Sequence, residues 1–435
     1  MGRFTGIIGL FVLFGIAYGC SKHRKAINWR AVIGGFALQL LLALFILKTP
    51  WGQSFFQAMN GVVDAILKCS DEGAAFVFGN LVTPPENSGI GHIFAVRVLP
   101  TIIFVSAVMS ILYYLGIMQK IITWIAKLMQ KTMRTSGAES MSAAANIFVG
   151  QTEAPLVVKP YIEKMTQSEI LAIMTGGMAT VSGGILAGYV TMLRDSVPGI
   201  AGHLIAASIM AAPVGLAMSK ILLPETEESL TQGDVKLNIP ITDANVIDAA
   251  ANGATTGMQL VINVAASLIG FIALIALVNL GLGLIHKGLT LDQILGYIFY
   301  PIAWVMGVPT QDCLNVASLM GQKTAINEFV AYSHLAALPE MSYRAKVIAT
   351  YALCGFANLG SIAIEIGGIG AMAPSRRGDL ARLGLWALLA ASLASFFSAT
   401  VAGLLTGDPV SAAAVAETVA ETATEAAQAA AAVMP

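Results

Sequence analysis

"NIFVGQTEAPLVVKP", residues 146–160, sets Gln151, Thr152 and Glu153 side by side and follows them with Pro155. A solvated loop holds such a run at no cost. Inside a bilayer, irregular backbone and a carboxylate survive only when buried in protein or lining a watery cavity. The rest of the chain decides which setting applies. Its 435 residues are 56% hydrophobic and 11% charged, where a soluble domain carries about a quarter charged residues. The mean hydropathy is +0.76. Apolar windows near the length of a membrane helix fall at 4–20, 31–47, 98–119, 170–193, 196–219, 258–284, 347–373 and 383–407. The chain therefore reads as an all-α integral membrane protein with eight transmembrane helices.

Other function classes fall away early. A net charge of −1 gives no sign of nucleic-acid binding. Cys20, Cys69, Cys313 and Cys354 have neither metal nor disulfide spacing, so they read as packing residues. The first span lacks a small-residue cleavage site and is expected to be retained.

Positive charges orient the spans, because Lys and Arg collect on the cytoplasmic side. Loop 21–30 carries Lys22, Arg24, Lys25 and Arg30; segment 118–138 carries Lys120, Lys127, Lys131 and Arg134; segment 374–382 carries Arg376, Arg377 and Arg382. All three are placed inside, which puts both termini outside. This holds only if 293–311, uncharged but broken by Pro301 and Pro309, lies at the interface or buried rather than crossing.

The same count forces 139–165 to enter and leave from the cytoplasmic face, and about 310–340 to do so from the outer face. Each carries a Gly-Gln pair, "GQTE" at 150–153 and "GQKTAINEF" at 321–329, and each precedes two spans. The first span of each pair has a polar, glycine-bearing interruption, "TVSGG" at 180–184 and "NLGS" at 358–361. Hairpin, broken helix and helix, repeated in inverted orientation, form the pattern of a secondary transporter. The expected divisions are peripheral helices and an outer interfacial segment (1–92), a scaffold helix with a cytoplasmic interfacial helix (93–138), and a first transport half (139–222). A cytoplasmic loop, scaffold helix and interfacial segment (223–309), a second transport half (310–407) and an Ala-rich acidic tail (408–435) complete the chain.

A carboxylate at the bilayer centre costs roughly 2.5–3.5 kcal/mol on insertion scales. Glu153 and Glu328 both fall near hairpin tips. Each alone could pair with a backbone group or a lysine (Lys159, Lys323); the matched placement favours a shared solute site. Asn358 and Ser361 lie three apart on one helix face, a spacing that equally suits helix–helix hydrogen bonding. Glu365, about two turns from the cytoplasmic end of span seven, reads as reaching water there rather than acting in transport. His203 reads as a satisfied structural residue. Acids, amides and hydroxyls suit a neutral solute rich in donors and disfavour an anion.

These residues are also recognisable as a set. "NIFVGQTEAPLVVKPY" (146–161), "GQKTAINEFVAY" (321–332) and "CGFANLGSIAIEIGG" (354–368) resemble the concentrative nucleoside transporter family, over nearly the whole chain. The resemblance implies a homotrimer with eight spans, two opposed re-entrant hairpins and interfacial helices, in the inner membrane of a bacterium. Spans three and six would form the scaffold and trimer contacts, and the hairpins with the spans behind them a transport domain moving as an elevator. By motif position, Gln151, Thr152 and Glu153 would face the nucleobase, Thr152 through water, with Phe356 and Ile185 flanking it. Glu328, Asn358 and Ser361 would take the ribose hydroxyls. The implied coupling cation is sodium, with Asn146, Val149, Thr180 and Val181 as oxygen ligands; some bacterial relatives use protons, and a hydroxyl at 180 does not separate the two. No other cofactor is implied. Gly360 and Glu365 depart from the family pattern, and Ile185 bears on purine tolerance. A passive pore would need a continuous polar stripe, and an enzyme using Glu153 and Glu328 as acid and base would lack a nucleophile or metal beside them.

Overall fold

The computed structural model describes residues 2–82, 93–231 and 243–406. The Ala-rich tail 408–435 lies outside them. Among the described residues there is no strand. Six helices of the described residues are long and apolar enough to cross a membrane: Trp29–Lys48, Phe94–Tyr114, Gln167–Leu193, Ile200–Leu222, Val246–Ile285 and Pro374–Leu405. Windows 4–20 and 347–373 fall instead on shorter apolar helices, Phe4–Gly19 and Leu359–Met372.

The amino-terminal part comprises α1 (Gly2–Gly19), α2 (Trp29–Lys48) and α3 (Pro50–Phe78). The Thr49 hydroxyl accepts from Gly52 N–H to start α3, and Gly79 at φ 56° stops it. A helix of 29 residues here is more regular than the interfacial segment read from sequence. It packs on a later helix, where Asn60 Oδ1 accepts from the backbone N–H of Gly202 at 2.9 Å. Next come α4 (Leu99–Tyr114) and α5 (Ile117–Met133). The third apolar window therefore ends five residues early: the chain turns at Gly116, φ 74°. On α5, Met118, Ile122, Ala126, Met129 and Met133 are buried while Trp124 is exposed, the periodicity of a helix covered on one face.

Two matching runs follow. The first is α6 (Gly137–Asn146), a short irregular passage through Ala154–Val158 and Lys159–Ile162, then α7 (Gln167–Ala179), α8 (Gly183–Leu193) and α9 (Ile200–Leu222). Between the runs lie α10 (Val246–Ile285) and α11 (Leu291–Val305, with Pro301 inside it). The second run is α12 (Cys313–Ala325), α13 (Glu328–Ala336), α14 (Tyr343–Leu353), α15 (Leu359–Met372) and α16 (Arg377–Leu405). At the centre, α9 and α16 pack on each other and each packs on both α7 and α14. Burial follows this order: 94% of the apolar window in 167–193 is covered, but none of that in Val246–Ile285.

Three close approaches fix the assembly. The first broken helix is interrupted at 180–182, inside the run expected at 180–184. The second is interrupted at 354–358, ahead of the run expected at 358–361, because Asn358 caps a helix whose first turn takes in 359–361. The two broken helices cross at these breaks: Gly355 has φ +107°, and a Cβ there would lie 2.6 Å from the Ala179 carbonyl oxygen. Only glycine satisfies both the backbone angle and the space. Helix α10 lies against α4 through Gly253 and Gly257, whose added Cβ atoms would meet Ala107 Cα at 2.8 Å and Ile103 Cα at 2.7 Å. Small residues spaced by four let apolar helices approach closely in lipid.

At one end of the bundle, Ser136 and Thr166 cap α6 and α7 in reciprocal boxes with Glu139 and Glu169. Lys220 ion-pairs with Glu139 and donates to Ser168 Oγ at 2.8 Å. A buried charge left alone is costly and is found paired, so this cluster ties α6, α7 and α9 together.

Candidate functional site

Each half contributes a short helix that stops inside the protein and a long helix that is broken there. The broken ends leave unpaired backbone groups, and these surround a cavity of about 580 Å³. Gln151, Thr152, Glu153, Ile185, Glu328, Phe356, Asn358 and Ser361 all line it. So do Tyr113 from α4 and Asn263 from α10, two polar side chains that sequence reasoning did not single out.

The polar wall is a hydrogen-bonded chain. Tyr189 on α8 donates its hydroxyl to Glu328 Oε1 at 2.9 Å. Asn358 Nδ2 donates to Glu328 Oε2 at 3.0 Å, and Asn358 Oδ1 accepts the Ser361 N–H at 2.9 Å, capping α15. Gln151 Nε2 then donates to Ser361 Oγ at 3.3 Å. The chain thus runs from the first repeat to the second and back. Glu328 opens α13, and a helix amino-terminus favours negative charge. Its oxygens keep free lone pairs toward the cavity, since a carboxylate offers about four acceptor positions.

The lysine pairings weighed from sequence do not form. Lys323 is fully buried and donates to the Ala352 carbonyl at 2.9 Å. Lys159 is exposed. Glu153 is open to the cavity, its Oε2 reached by the Gly150 N–H at 3.4 Å. His203 is held as expected, with Nε2 3.2 Å from the Tyr343 hydroxyl and Nδ1 3.4 Å from that of Tyr351.

Asn146 and Thr180 meet behind the cavity, Val181 follows Thr180 in the break, and Val149 lines the cavity itself. The Thr180 hydroxyl donates to the Asn146 carbonyl at 2.7 Å, and Gly183 N–H to the Phe148 carbonyl at 2.9 Å. Asn146 ends α6, and Thr180 follows the end of α7, so two carboxyl-terminal helix ends point carbonyl oxygens at one place. Such ends attract cations. The buried Asn146 side chain has no hydrogen-bond partner on either amide atom. Oxygen-rich and uncharged, this donor set fits a hard monovalent ion.

Glu365 corrects the sequence reading. It is completely buried rather than water-facing. A Cβ added to Gly177 would lie 2.5 Å from Glu365 Oε1 and 2.9 Å from Gln151 Cβ, so the carboxyl is wedged between α7 and the first hairpin tip. Two apolar turns separate Glu365 from Arg376 in the sequence, and that distance suggested access to water. The covering atoms come from residues more than 180 positions away, which no local pattern could reveal. Tyr189 was likewise missed. One signal was present: Tyr189 follows the break residue Ser182 by seven, as Glu365 follows Asn358 by seven.

Sequence comparison matches residues 8–81 to the amino-terminal and 203–403 to the carboxy-terminal region of Na+ dependent nucleoside transporters, and 95–196 to a nucleoside recognition (Gate) region. The chain is 48% identical over 419 residues to an uncharacterized transporter of Haemophilus influenzae, covering 94% of this chain and 99% of that one. It is 42% identical to mouse sodium/nucleoside cotransporter 1, covering 93% of this chain and 64% of the mouse protein. Among solved structures, CNTnw in an inward-facing substrate-bound state superposes with a TM-score of 0.88 at 49% identity, over 94% of this chain and 98% of that chain.

Proposed function

The chain belongs to the concentrative nucleoside transporter family, and from that premise we propose that it is a sodium-coupled symporter importing nucleosides by an elevator-type movement. It is an integral membrane transporter and not an enzyme. The observation that carries the substrate assignment is the hydrogen-bonded chain Tyr189–Glu328–Asn358–Ser361–Gln151 along one cavity. Glu328, oriented by two donors, accepts from the ribose hydroxyls, and charge-assisted bonds of this kind are roughly twice as strong as neutral ones. Asn358 and Ser361 complete the sugar site. Gln151, Thr152 and Glu153 take the polar edge of the base, Thr152 through water, while Phe356 and Ile185 cover its faces. Ile185 is the position that governs tolerance for purines over a uridine-like substrate.

Sodium occupies the place defined by Asn146, Val149, Thr180 and Val181. Because these ligands belong to the first hairpin and the break of α7–α8, ion binding orders the tip that holds Gln151. Segments 139–222 and 310–407 then move together as a transport domain, their hairpins entering from opposite faces. Helices α4 and α10 hold the scaffold and the contacts of a homotrimer; the uncovered apolar surface of α10 within one protomer supports that role. Positive loops place both termini outside the inner membrane of a bacterium.

Uptake of labelled uridine into proteoliposomes under an inward sodium gradient tests the reading. Accumulation above the outside concentration is expected, and mere equilibration would make the protein a passive pore. Uptake indifferent to sodium would remove the ion assignment.

A further inference from the structure

The chain Tyr189–Glu328–Asn358–Ser361–Gln151 accounts for Glu328 at the second hairpin tip but leaves Glu365 unexplained. Glu365 lies on α15, one helical turn beyond Ser361, completely buried. Neither of its carboxyl oxygens has a hydrogen-bond partner, and the adjoining Gln151 Oε1 is also buried without one. Glu365 Oε1 and Gln151 Cβ lie within 3 Å of the same point beside Gly177, so three unpartnered acceptor atoms belong to two side chains packed against each other. An ionised carboxylate in that setting would be a bare charge facing another acceptor, an arrangement that folded proteins avoid. One added hydrogen resolves it: a neutral Glu365 carboxyl has an O–H to donate, and Gln151 Oε1 is the unpartnered acceptor beside it.

No charged neighbour offers another solution. On α7 the only charge is Glu169, at its far end and held by Ser229 and Thr231. From the first hairpin, Glu139 is paired with Lys220, Glu153 faces the cavity, and Lys159, Glu163 and Lys164 are exposed. At the start of α16, Arg376 donates to the carbonyls of Glu163 and Met165 and pairs with Asp379, which Arg382 also approaches. Arg377 packs its methylenes on Gly370. The repeat gives the position a meaning. Glu365 stands seven residues after the cap Asn358, where the first repeat has Tyr189 seven after Ser182. Tyr189 donates a hydrogen to the second hairpin tip; Glu365 faces the first.

We propose that Glu365 is a proton-binding site that couples proton movement to solute transport: the carboxylate takes up one proton, and the resulting O–H locks Gln151 and the first hairpin onto α15. No water reaches Glu365 while the tip is seated, so the proton enters or leaves only when the hairpin lifts on either side of the membrane. One proton therefore travels inward with each loaded transport domain, beside the sodium ion. The inference rests on the nucleoside reading for its substrate, but not for the site itself.

The test uses the full-length protein in vesicles filled with a pH-sensitive dye, at equal sodium on both sides and clamped membrane potential. Added uridine is expected to acidify the lumen by about one proton per uridine carried, and Glu365→Gln to reduce that ratio to near zero. The wild-type affinity for uridine is expected to fall with rising pH, by at most about tenfold per pH unit for one proton, and to be flat in Glu365→Gln. Uptake of uridine by the wild type without acidification overturns the proposal, as does an undiminished ratio in the variant. Sodium substituting for the proton, seen as acidification abolished by high symmetric sodium, also overturns it. A second measurement needs no substrate: the infrared carbonyl band of a protonated carboxylic acid, present in the wild type and lost in Glu365→Gln. If uridine is never transported but this band behaves as expected, the nucleoside reading fails and the proton site stands; if the band is absent, the proton site fails.

Discussion

Replacing Glu328 by Gln isolates what the carboxylate contributes, because the surrounding hydrogen bonds can survive the change. Asn358 Nδ2 must keep donating to position 328, since its Oδ1 is committed to the Ser361 N–H. The oxygen of the new amide therefore turns toward Asn358 and its NH₂ toward Tyr189, whose hydroxyl rotates from donor to acceptor. Shape and pairing persist; charge is lost. A hydrogen bond to a charged group is worth about 1.5–3 kcal/mol and a neutral one about 0.5–1.5 kcal/mol, a difference of about 1 kcal/mol per bond. One ribose hydroxyl keeps a neutral oxygen acceptor and loses about 1 kcal/mol. The other meets an NH₂ that cannot accept and loses a charged bond of about 2 kcal/mol. Together these give about 3 kcal/mol, or about a 150-fold rise in the uridine Kd. Equilibrium binding of uridine and of 2′,3′-dideoxyuridine to the purified protein, with and without the substitution, reads this directly. The dideoxy analogue has no hydroxyls to lose and should weaken by less than about threefold. Equal losses for both ligands would place Glu328 away from the sugar. An unchanged uridine Kd would mean that no charged acceptor acts there.

Asn146→Ala is expected to raise the sodium concentration needed for half-maximal uridine uptake by about tenfold or more, the scale of one contact to a charge; an unaltered sodium dependence would remove Asn146 from the ion's ligands. Gly355→Ala forces a side chain into positive φ and against the Ala179 carbonyl, together about 2–5 kcal/mol. Its melting temperature should fall clearly below that of the wild type, and an unshifted melt would contradict the crossing of the two breaks. Lys323→Met strips the Ala352 carbonyl of its donor, at about 1–3 kcal/mol of stability. Because Lys323 hydrogen-bonds to this carbonyl and forms no ion pair with Glu328, the uridine Kd should move by less than about threefold; a larger shift would restore the lysine–glutamate pairing.

Much of the architecture is a matter of local composition, and that part could be read along the chain. Apolar runs such as those that give Ile200–Leu222 and Arg377–Leu405 become helices because a bilayer leaves backbone groups no other partner. The break at 180–182 falls inside the polar, glycine-bearing run read there, while the second opens at 354–358, just ahead of the run read at 358–361. The paired acids at the hairpin tips stood out because a carboxylate is costly in such surroundings, and the cavity gathers both. The helix of 50–78 was less legible, since its one-sided apolar pattern is weak beside that of the spans.

Which face of each helix meets protein was not open to sequence. Lipid is as apolar as a helix neighbour, so hydropathy cannot separate a buried face from a lipid-facing one. Glu365 looked close to water because only its own helix was visible; Gly177 and Gln151 close over it from distant segments. Tyr189 was not singled out in the sequence; the fold brings Glu328 of the second hairpin to its hydroxyl. The linear order of residues determined that this protein is a membrane-spanning helical repeat with acids at its hairpin tips. Only the tertiary structure decided which donors those acids meet, because hydrogen bonds act over about 3 Å and these partners are brought that near by the crossing of two broken helices.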